Sequence, residues 1–246
     1  MDHLVIIPVY NEERYIEKVL KKVKENTDSD ILVINDGSTD NSLEIINSIT
    51  PPLNIRGGWG ELKIITRAEN RGYGKSLIDG FDFAISNGYK YALTMDCDEQ
   101  HEPHLIPEFL KEINYFDIIS GSRYLKDFPS NSSPPQDRKY INEQITKIIN
   151  RVTGYNLTDS FCGFKAYRVD SLKKLRLTEW GYGMPLQFWI QAWHNKLNIK
   201  EYPIERIYKN MDRSFGKEMD DPEKRLAYYK KIIETEYQSV KESKTL

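Results

Sequence analysis

Short apolar runs alternate with amphipathic stretches over the first half of the chain. A short, β-rich apolar run bounded by turn residues is typical of a buried strand. Such runs lie near residues 4–8, 31–34, 63–66, 91–95 and 118–119. Apolar residues at helical spacing predict helices near 12–23, 40–46, 74–87 and 105–113. Asn11 and Asp40 are the predicted caps of the first two. This alternation predicts βαβ units on a Rossmann-like, mostly parallel central sheet with helices on both faces.

The pattern changes after Arg123. Residues 125–137 are rich in proline and serine and precede an amphipathic stretch, so residues 125–151 are predicted to form a mobile lid. Residues 120–151 carry six basic and three acidic side chains, a net charge of +3. That charge suits an anionic ligand or a membrane surface, and it also suits an ordinary solvated helix face, so both interpretations stay open.

The rest of the chain is predicted to pack on the same sheet. Its predicted elements are strands near 164–167 and 199–203 and helices near 169–176, 184–196 and 222–238. Because no internal repeat or clean linker interrupts the chain, residues 1–246 are predicted to form one α/β domain. Within it, residues 1–124 and residues 125–246 form two halves around the predicted site.

Composition and charge narrow the classes of function. The chain has 35 basic and 37 acidic residues, and this net charge of −2 argues against bulk nucleic-acid binding. No apolar run approaches the roughly 18 residues of a membrane span, and the start of the chain lacks a signal-peptide pattern. A cytoplasmic protein with reduced Cys97 and Cys162 is therefore expected.

Distinctive polar residues follow three of the predicted strands. In open α/β sheets ligands bind beyond the carboxyl ends of the strands. Residues 8–12 follow the first strand, Asp36 ends the second, and Asp96 and Asp98 follow the fourth. Two carboxylates two residues apart in extended chain project the same way and can hold a divalent cation together with ribose or phosphate oxygens. The alternative is a pair of solvated acids, and for Asp36 ordinary turn chemistry.

Five ordered motifs carry a resemblance to a known family. They are Pro8-x-Tyr10-Asn11-Glu12, Asn35-Asp36-Gly37-Ser38-x-Asp40, Asn70-Arg71-Gly72-x-Gly74-Lys75, Asp96-x-Asp98-x-Gln100-His101 and Gly121-Ser122-Arg123-Tyr124. In this order they resemble the family 2 inverting glycosyltransferases of the GT-A fold. Within that family the chain is most similar to dolichyl-phosphate mannosyltransferases and bacterial polyprenyl-phosphate glycosyltransferases. The resemblance is strong over residues 4–124 and looser over 159–217.

The resemblance implies ligands and residue roles. The implied donor is a nucleoside-diphosphate sugar of the GDP-mannose or UDP-glucose type, the acceptor is a polyprenyl phosphate, and the cofactor is Mg²⁺ or Mn²⁺. The residues implied around the nucleotide are Pro8, Tyr10, Glu12, Asp36 and Asp96, with Arg213 and Lys217 closing over the diphosphate. Asp98 and Gln100 are the implied metal ligands, with Asp96 beside them, and Arg123 is the implied contact of an acceptor phosphate.

The sequence departs from the family pattern where a catalytic base is usual. Family members that act on sugar hydroxyls place an acid at the start of a late helix, whereas residues 183–187 here contain none. A phosphate acceptor is already ionised and needs no general base. The departure therefore favours a lipid phosphate as the acceptor, reached by peripheral contact with the inner face of the membrane.

Two other functions stay open. The C-terminal membrane helices of many relatives are absent, which favours a soluble sugar or metabolite hydroxyl as acceptor, with Asp159 as the base. A catalytically silent nucleotide-sugar-binding protein would keep the same binding residues. A homodimer is an open alternative to a monomer.

Overall fold

One mixed sheet organises the molecule. The computed structural model describes residues 2–49, 60–208 and 215–242, without the side chain of Lys217. Its strands are β1 (His3–Val9), β2 (Asp30–Asn35), β3 (Leu62–Thr66), β4 (Tyr91–Thr94), β5 (Ile118–Ser122), β6 (Lys165–Arg168) and β7 (Ile199–Pro203). They lie in the order β3-β2-β1-β4-β6-β5-β7. The sheet is parallel except at β6, which runs antiparallel to β4 and β5.

Helices cover both faces of this sheet. They are α1 (Ile16–Asn26), α2 (Ser42–Ile49), α3 (Tyr73–Ser86), α4 (Ile106–Glu112), α5 (Gln136–Thr153), α6 (Val169–Leu172), α7 (Met184–His194) and α8 (Pro222–Glu242). Short 3₁₀ segments span Pro103–Leu105 and Lys217–Asp220. Within the described part of the chain, no helix is both long enough and apolar enough to cross a bilayer.

The alternation of side chains along β1 explains the two apolar cores. Successive strand residues point to opposite faces of a sheet. Leu4 and Ile6 therefore join the core formed with α3, α5, α7 and α8. Val5 and Ile7 join the core formed with α1, α2 and α4. The predicted mostly parallel α/β sheet with helices on both faces is confirmed.

Two local predictions need correction. Helix α1 begins at Ile16 rather than directly after Asn11, and Asn11 itself lies in the left-handed region with a φ of 56°. The helix predicted over residues 169–176 ends at Leu172. The prediction for Asp40 is confirmed, because its side chain accepts a hydrogen bond of 3.0 Å from the N–H of Ser42 at the start of α2.

The segment predicted as a mobile lid is part of the packed structure. Ile141, Ile145 and Ile149 of α5 are buried in the core. The loop before α5 is fastened by Arg206, whose N–H donates to Oδ1 of Asn131 at 2.8 Å and whose Nε donates to the carbonyl of Ser132 at 2.9 Å. Residues 125–151 therefore combine a loop held by Arg206 with a helix packed in the core, and the mobility of this segment stays a prediction.

Candidate active site

Two adjoining cavities open at the carboxyl ends of the strands. Because β1, β2 and β4 run in parallel, the residues that follow them meet at one edge of the sheet. A large cleft of about 800 Å³ lies over β1 and β2, and a small pocket of about 160 Å³ lies beside β5 and α5. Five residues line both cavities: Tyr73, Asp98, Gln100, Tyr182 and Phe215. A ligand in the large cleft therefore meets a ligand in the small pocket at Asp98.

The loop after β1 forms one wall of the large cleft and is fixed by the loop after β2. The N–H of Asn11 donates to Ser38 Oγ at 3.0 Å, and the N–H of Glu12 donates to Ser42 Oγ at 2.9 Å. The N–H of Thr39 donates in return to Oδ1 of Asn11 at 2.8 Å. These contacts hold residues 10–12 over the cleft, which Pro8, Tyr10 and Glu12 all line.

Asp36 at the end of β2 fixes the opposite wall. Its Oδ1 accepts from the N–H of Arg71 at 3.0 Å, and its Oδ2 accepts from the N–H of Gly72 at 2.8 Å. The guanidinium of Arg67 pairs with the same carboxylate. Gly72 has a φ of 107°, and a Cβ there would lie 2.5 Å from the carbonyl oxygen of Trp180. Asp36 thus lines the cleft, and its carboxylate also shapes the loop of residues 70–72.

Asp96 lies beside the junction and is contacted by Tyr73 and His101. Tyr73 donates its hydroxyl to Oδ1 at 2.9 Å, and Nε2 of His101 lies 3.7 Å from Oδ2. Nδ1 of His101 accepts from the N–H of Asp96 at 3.0 Å, which places the ring proton on Nε2. Burial lowers the pKa of His101, so the ring is neutral at pH 7. A Cβ on Gly163 would lie 2.5 Å from Oδ2 of Asp96, so only glycine leaves room for this carboxylate.

The residues that suit a cation are Asp98, Gln100 and Asp96. Asp98 and Gln100 line both cavities, whereas Asp96 lines the small pocket. No group of three or more His, Cys, Asp or Glu side chains that could hold a metal occurs among the described residues. Mg²⁺ is commonly bound by one or two carboxylates together with substrate phosphates and water. The oxygen donors at the junction fit such a shared site.

The small pocket is rich in arginine and aromatic side chains. Its cationic residues are Arg123, Arg138 and Arg225, of which Arg123 is ion-paired with Asp159 and Arg225 with Asp137. The guanidinium carbons of Arg138 and Arg225 lie 5.0 and 4.5 Å from the centre of the Phe215 ring, so both cations make a cation–π contact with the same ring. Among the described residues that line this pocket, the only carboxylates are Asp96 and Asp98. The pocket therefore favours an anion with an apolar substituent.

Asp159 is a partner of Arg123 and does not line either cavity. Its side chain is fully buried and accepts from Nε and Nη2 of Arg123 at 2.6 and 2.9 Å. Asn142 Nδ2 adds a bond of 3.0 Å. Burial raises the pKa of Asp159, but the charge and hydrogen bonds of Arg123, with a bond from the N–H of Phe161, outweigh it, so the net pKa lies below the usual range. Asp159 is thus buried against Arg123 and outside both cavities, an arrangement that suits a residue that orients Arg123, and its role as a catalytic base stays a prediction.

The structure brings most of the predicted site residues together. Pro8, Tyr10, Glu12, Asp36, Asp98 and Gln100 line the large cleft, and Asp96 and Arg123 line the small pocket. Arg213 and the side chain of Lys217 lie outside the described residues. Sequence reasoning missed Tyr73, Tyr182, Phe215 and Arg225. In the sequence, Arg138 was counted only in the net charge of residues 120–151. Its position in the first turn of α5 was the feature that could have pointed to the pocket.

Comparisons with known proteins agree with this site. The model of the family described as "Glycosyl transferase family 2" matches residues 4–176. A UDP-N-acetylglucosamine–dolichyl-phosphate N-acetylglucosaminyltransferase from Methanococcus voltae is 30% identical over 86% of this chain and 88% of its own length. An undecaprenyl-phosphate mannosyltransferase from Micrococcus luteus is 27% identical, and the match covers 86% of each chain. The chain therefore belongs to glycosyltransferase family 2, and it is a glycosyltransferase.

Solved structures agree with the fold. Glucosyl-3-phosphoglycerate synthase from Mycobacterium tuberculosis in complex with phosphoglyceric acid superimposes with a TM-score of 0.72 at 14% identity, over 96% of this chain and 80% of that chain. The same enzyme with Mn²⁺, UDP and glucosyl-3-phosphoglycerate gives a TM-score of 0.70 at 15% identity, with the same coverage. The chain has the GT-A fold, as the motifs predicted.

Proposed function

We propose that this chain is an inverting glycosyltransferase that moves a hexose from a nucleoside-diphosphate sugar to a polyprenyl phosphate. The observation that carries the proposal is the arginine-lined small pocket, which meets the large cleft at Asp98. Three arginines match an acceptor phosphate, and the aromatic side chains around them match the first apolar carbons of a prenyl chain. The names of the relatives from Methanococcus voltae and Micrococcus luteus support a lipid phosphate as the acceptor.

The nucleoside-diphosphate sugar occupies the large cleft in this proposal. Pro8, Tyr10 and Glu12 contact the base and ribose from the loop after β1, and Asp36 borders them from β2. The sugar lies toward the junction, next to Asp98. The implied diphosphate contacts, Arg213 and the side chain of Lys217, lie outside the described residues. The structure of glucosyl-3-phosphoglycerate synthase, which has the same fold and contains UDP, supports a donor of this class.

A divalent cation, Mg²⁺ or Mn²⁺, is the proposed cofactor. Asp98 and Gln100 would hold it, with Asp96 beside them, together with oxygens of the diphosphate. When bound, the cation neutralises charge on the departing diphosphate. The proposal is supported by the oxygen donors at the junction and by the related structure that contains Mn²⁺.

The acceptor reacts without a general base in this proposal. An oxygen of the acceptor phosphate forms a bond to the anomeric carbon while the bond from that carbon to the diphosphate oxygen breaks on the opposite side. No proton needs to leave the acceptor, since a phosphate monoester is already ionised at pH 7. Arg123, Arg138 and Arg225 orient the phosphate and balance its charge. Transfer to a sugar hydroxyl loses its proposed base, because Asp159 is buried against Arg123.

Peripheral contact with a membrane follows from a lipid acceptor. Exposed Leu125 and Lys126 follow Tyr124, and exposed Lys139 and Tyr140 follow Arg138. Because Tyr124 and Arg138 line the small pocket, these exposed apolar and basic side chains are its nearest neighbours in sequence. We assign them to contact with an anionic bilayer surface. Residues 1–124 then form the donor half and residues 125–246 the acceptor half of one domain.

The test follows the labelled sugar. Purified protein is incubated with Mn²⁺, a polyprenyl phosphate and labelled GDP-mannose, UDP-glucose or UDP-N-acetylglucosamine, and products are partitioned between butanol and water. Label in butanol with one donor is the expected result and identifies the sugar. Label in a new water-soluble product when cell extract replaces the lipid would refute the lipid acceptor. Absence of transfer with every donor, together with nucleotide binding, would support a silent binding protein. Asp98→Asn is the control with strongly reduced transfer.

A further inference from the structure

Glu99 has an unusual backbone conformation between two residues of the site. Its φ is 57°, in the left-handed region that non-glycine residues rarely occupy. In this turn the N–H of Gln100 reaches Oδ1 of Asp98 at 3.1 Å. The left-handed residue thus reverses the chain between Asp98 and Gln100, and both side chains line the junction of the two cavities. Such a conformation persists only where surrounding contacts enforce it.

Two lysines of helix α1 contact the side chain of Glu99. The Glu99 side chain is 7% exposed, and its Oε1 lies 2.7 Å from Nζ of Lys18 and 3.3 Å from Nζ of Lys22. These lysines lie four residues apart and therefore on the same side of α1. The opposite side of α1 is buried through Ile16, Val19, Leu20 and Val23, so the helix is a fixed platform for the two cations.

We propose that Glu99 is a positioning residue that ties the turn of residues 98–100 to helix α1 and so sets the direction of Asp98 and Gln100. The inference rests on the proposed metal role of those two residues. The carboxylate of Glu99 points to α1 and contacts neither cavity. Its effect on the cation therefore passes through the backbone of the turn. Residues that hydrogen-bond metal ligands directly typically change metal affinity 10- to 100-fold when they are replaced, and for Glu99, which acts through the backbone, we expect an effect at the lower end of that range.

The experiment measures Mn²⁺ binding directly. The free Mn²⁺ signal in electron paramagnetic resonance is titrated with protein in the presence of UDP and, separately, of GDP. We expect Glu99→Ala to weaken Mn²⁺ binding about 10-fold. Glu99→Gln keeps the length and an acceptor oxygen, so we expect a smaller loss. Glu99→Gly accepts the left-handed backbone but lacks the tie to α1, and we expect it to bind Mn²⁺ as weakly as Glu99→Ala.

The matched control lies on the same helix. Lys18→Ala/Lys22→Ala removes the partners of Glu99 without touching the turn, and we expect it to weaken Mn²⁺ binding severalfold. Lys21→Ala/Lys24→Ala removes the same charge from α1 and should bind Mn²⁺ like the unaltered protein. Thermal unfolding reports whether each variant is folded.

Each outcome has a defined meaning. Equal Mn²⁺ binding by the two double variants, or unchanged binding by Glu99→Ala, would overturn the inference. If the unaltered protein binds no Mn²⁺ with either nucleotide, the metal role and this inference are both overturned. The lipid acceptor is tested separately by the butanol assay, because Mn²⁺ binding involves no acceptor.

Discussion

Replacement of Asp159 by asparagine distinguishes between two roles of this residue, a general base and a support for Arg123. If Asp159 were a general base, its loss would stop the transfer step. If it orients Arg123, its loss would leave a buried guanidinium without its ionic partner. The structure favours the second role, since the carboxylate is fully buried and accepts two bonds from Arg123 at 2.6 and 2.9 Å.

The magnitude follows from the burial of the pair. Removing one partner of a buried ion pair costs about 3–5 kcal/mol. A chain of this length loses roughly 2–4 °C of melting temperature for each kcal/mol, so Asp159→Asn should melt about 10 °C lower. Arg123→Gln/Asp159→Asn leaves no buried charge, and we expect it to melt higher than Asp159→Asn. Because Arg123 lines the small pocket, the single variant should also raise the KM for polyprenyl phosphate by about 10-fold.

The pH dependence of stability gives an independent check. The pKa of Asp159 is lowered in the folded protein, so the unfolded chain takes up its proton at a higher pH. The stabilisation is therefore fully present above about pH 4, the unfolded value, and is lost as the pH falls through the folded pKa. The difference in melting temperature between the unaltered protein and Asp159→Asn should be constant from about pH 6 to 8 and should shrink in acid.

Melting curves and transfer kinetics together decide the role of Asp159. A positioning role predicts a lower melting temperature, a higher KM for the lipid and measurable residual kcat. Loss of all turnover with an unchanged melting temperature and acceptor KM would refute the reasoning. That result would support the interpretation of Asp159 as the catalytic base.

Three further substitutions test the junction and the pocket. Gly163→Ala places a Cβ against Asp96, whose carboxylate must move by about 1 Å, and kcat should fall up to about 100-fold with little change in melting temperature. Asp98→Asn should lower kcat by about 100-fold and weaken Mn²⁺ binding, which paramagnetic resonance measures. Arg138→Ala should raise the KM for the lipid phosphate about 10-fold with an unchanged KM for the donor, as a two-substrate kinetic series would show. An equal rise in both KM values would contradict the assignment of Arg138 to the acceptor pocket.

The fold was largely predictable because its signals are local. The apolar run of residues 4–8 has the length and composition of a buried strand, and it lies inside β1. The direction of β6 was not predictable, because the short run near residues 164–167 carries no mark of the strand it pairs with. The start of α1 was misplaced for a related reason. The side chains of Ser38 and Ser42, 27 and 30 residues away, bind the N–H groups of Asn11 and Glu12 and fasten this stretch to the loop after β2, with Asn11 at a φ of 56° outside the helical region.

The site residues also divide into those that neighbouring sequence predicts and those whose role depends on residues far away in the chain. Asp36, Asp96 and Asp98 follow strands, so a rule about strand ends finds them without any knowledge of the partners of those strands. The role of Asp159 depends on Arg123, 36 residues away, and on burial by α5, and neither fact is written in its neighbours. From the sequence alone, a carboxylate near a polar loop is a candidate catalytic base. The same carboxylate buried against a guanidinium suits a support for a binding residue, and only its burial and its contacts with Arg123 and Asn142 distinguish the two.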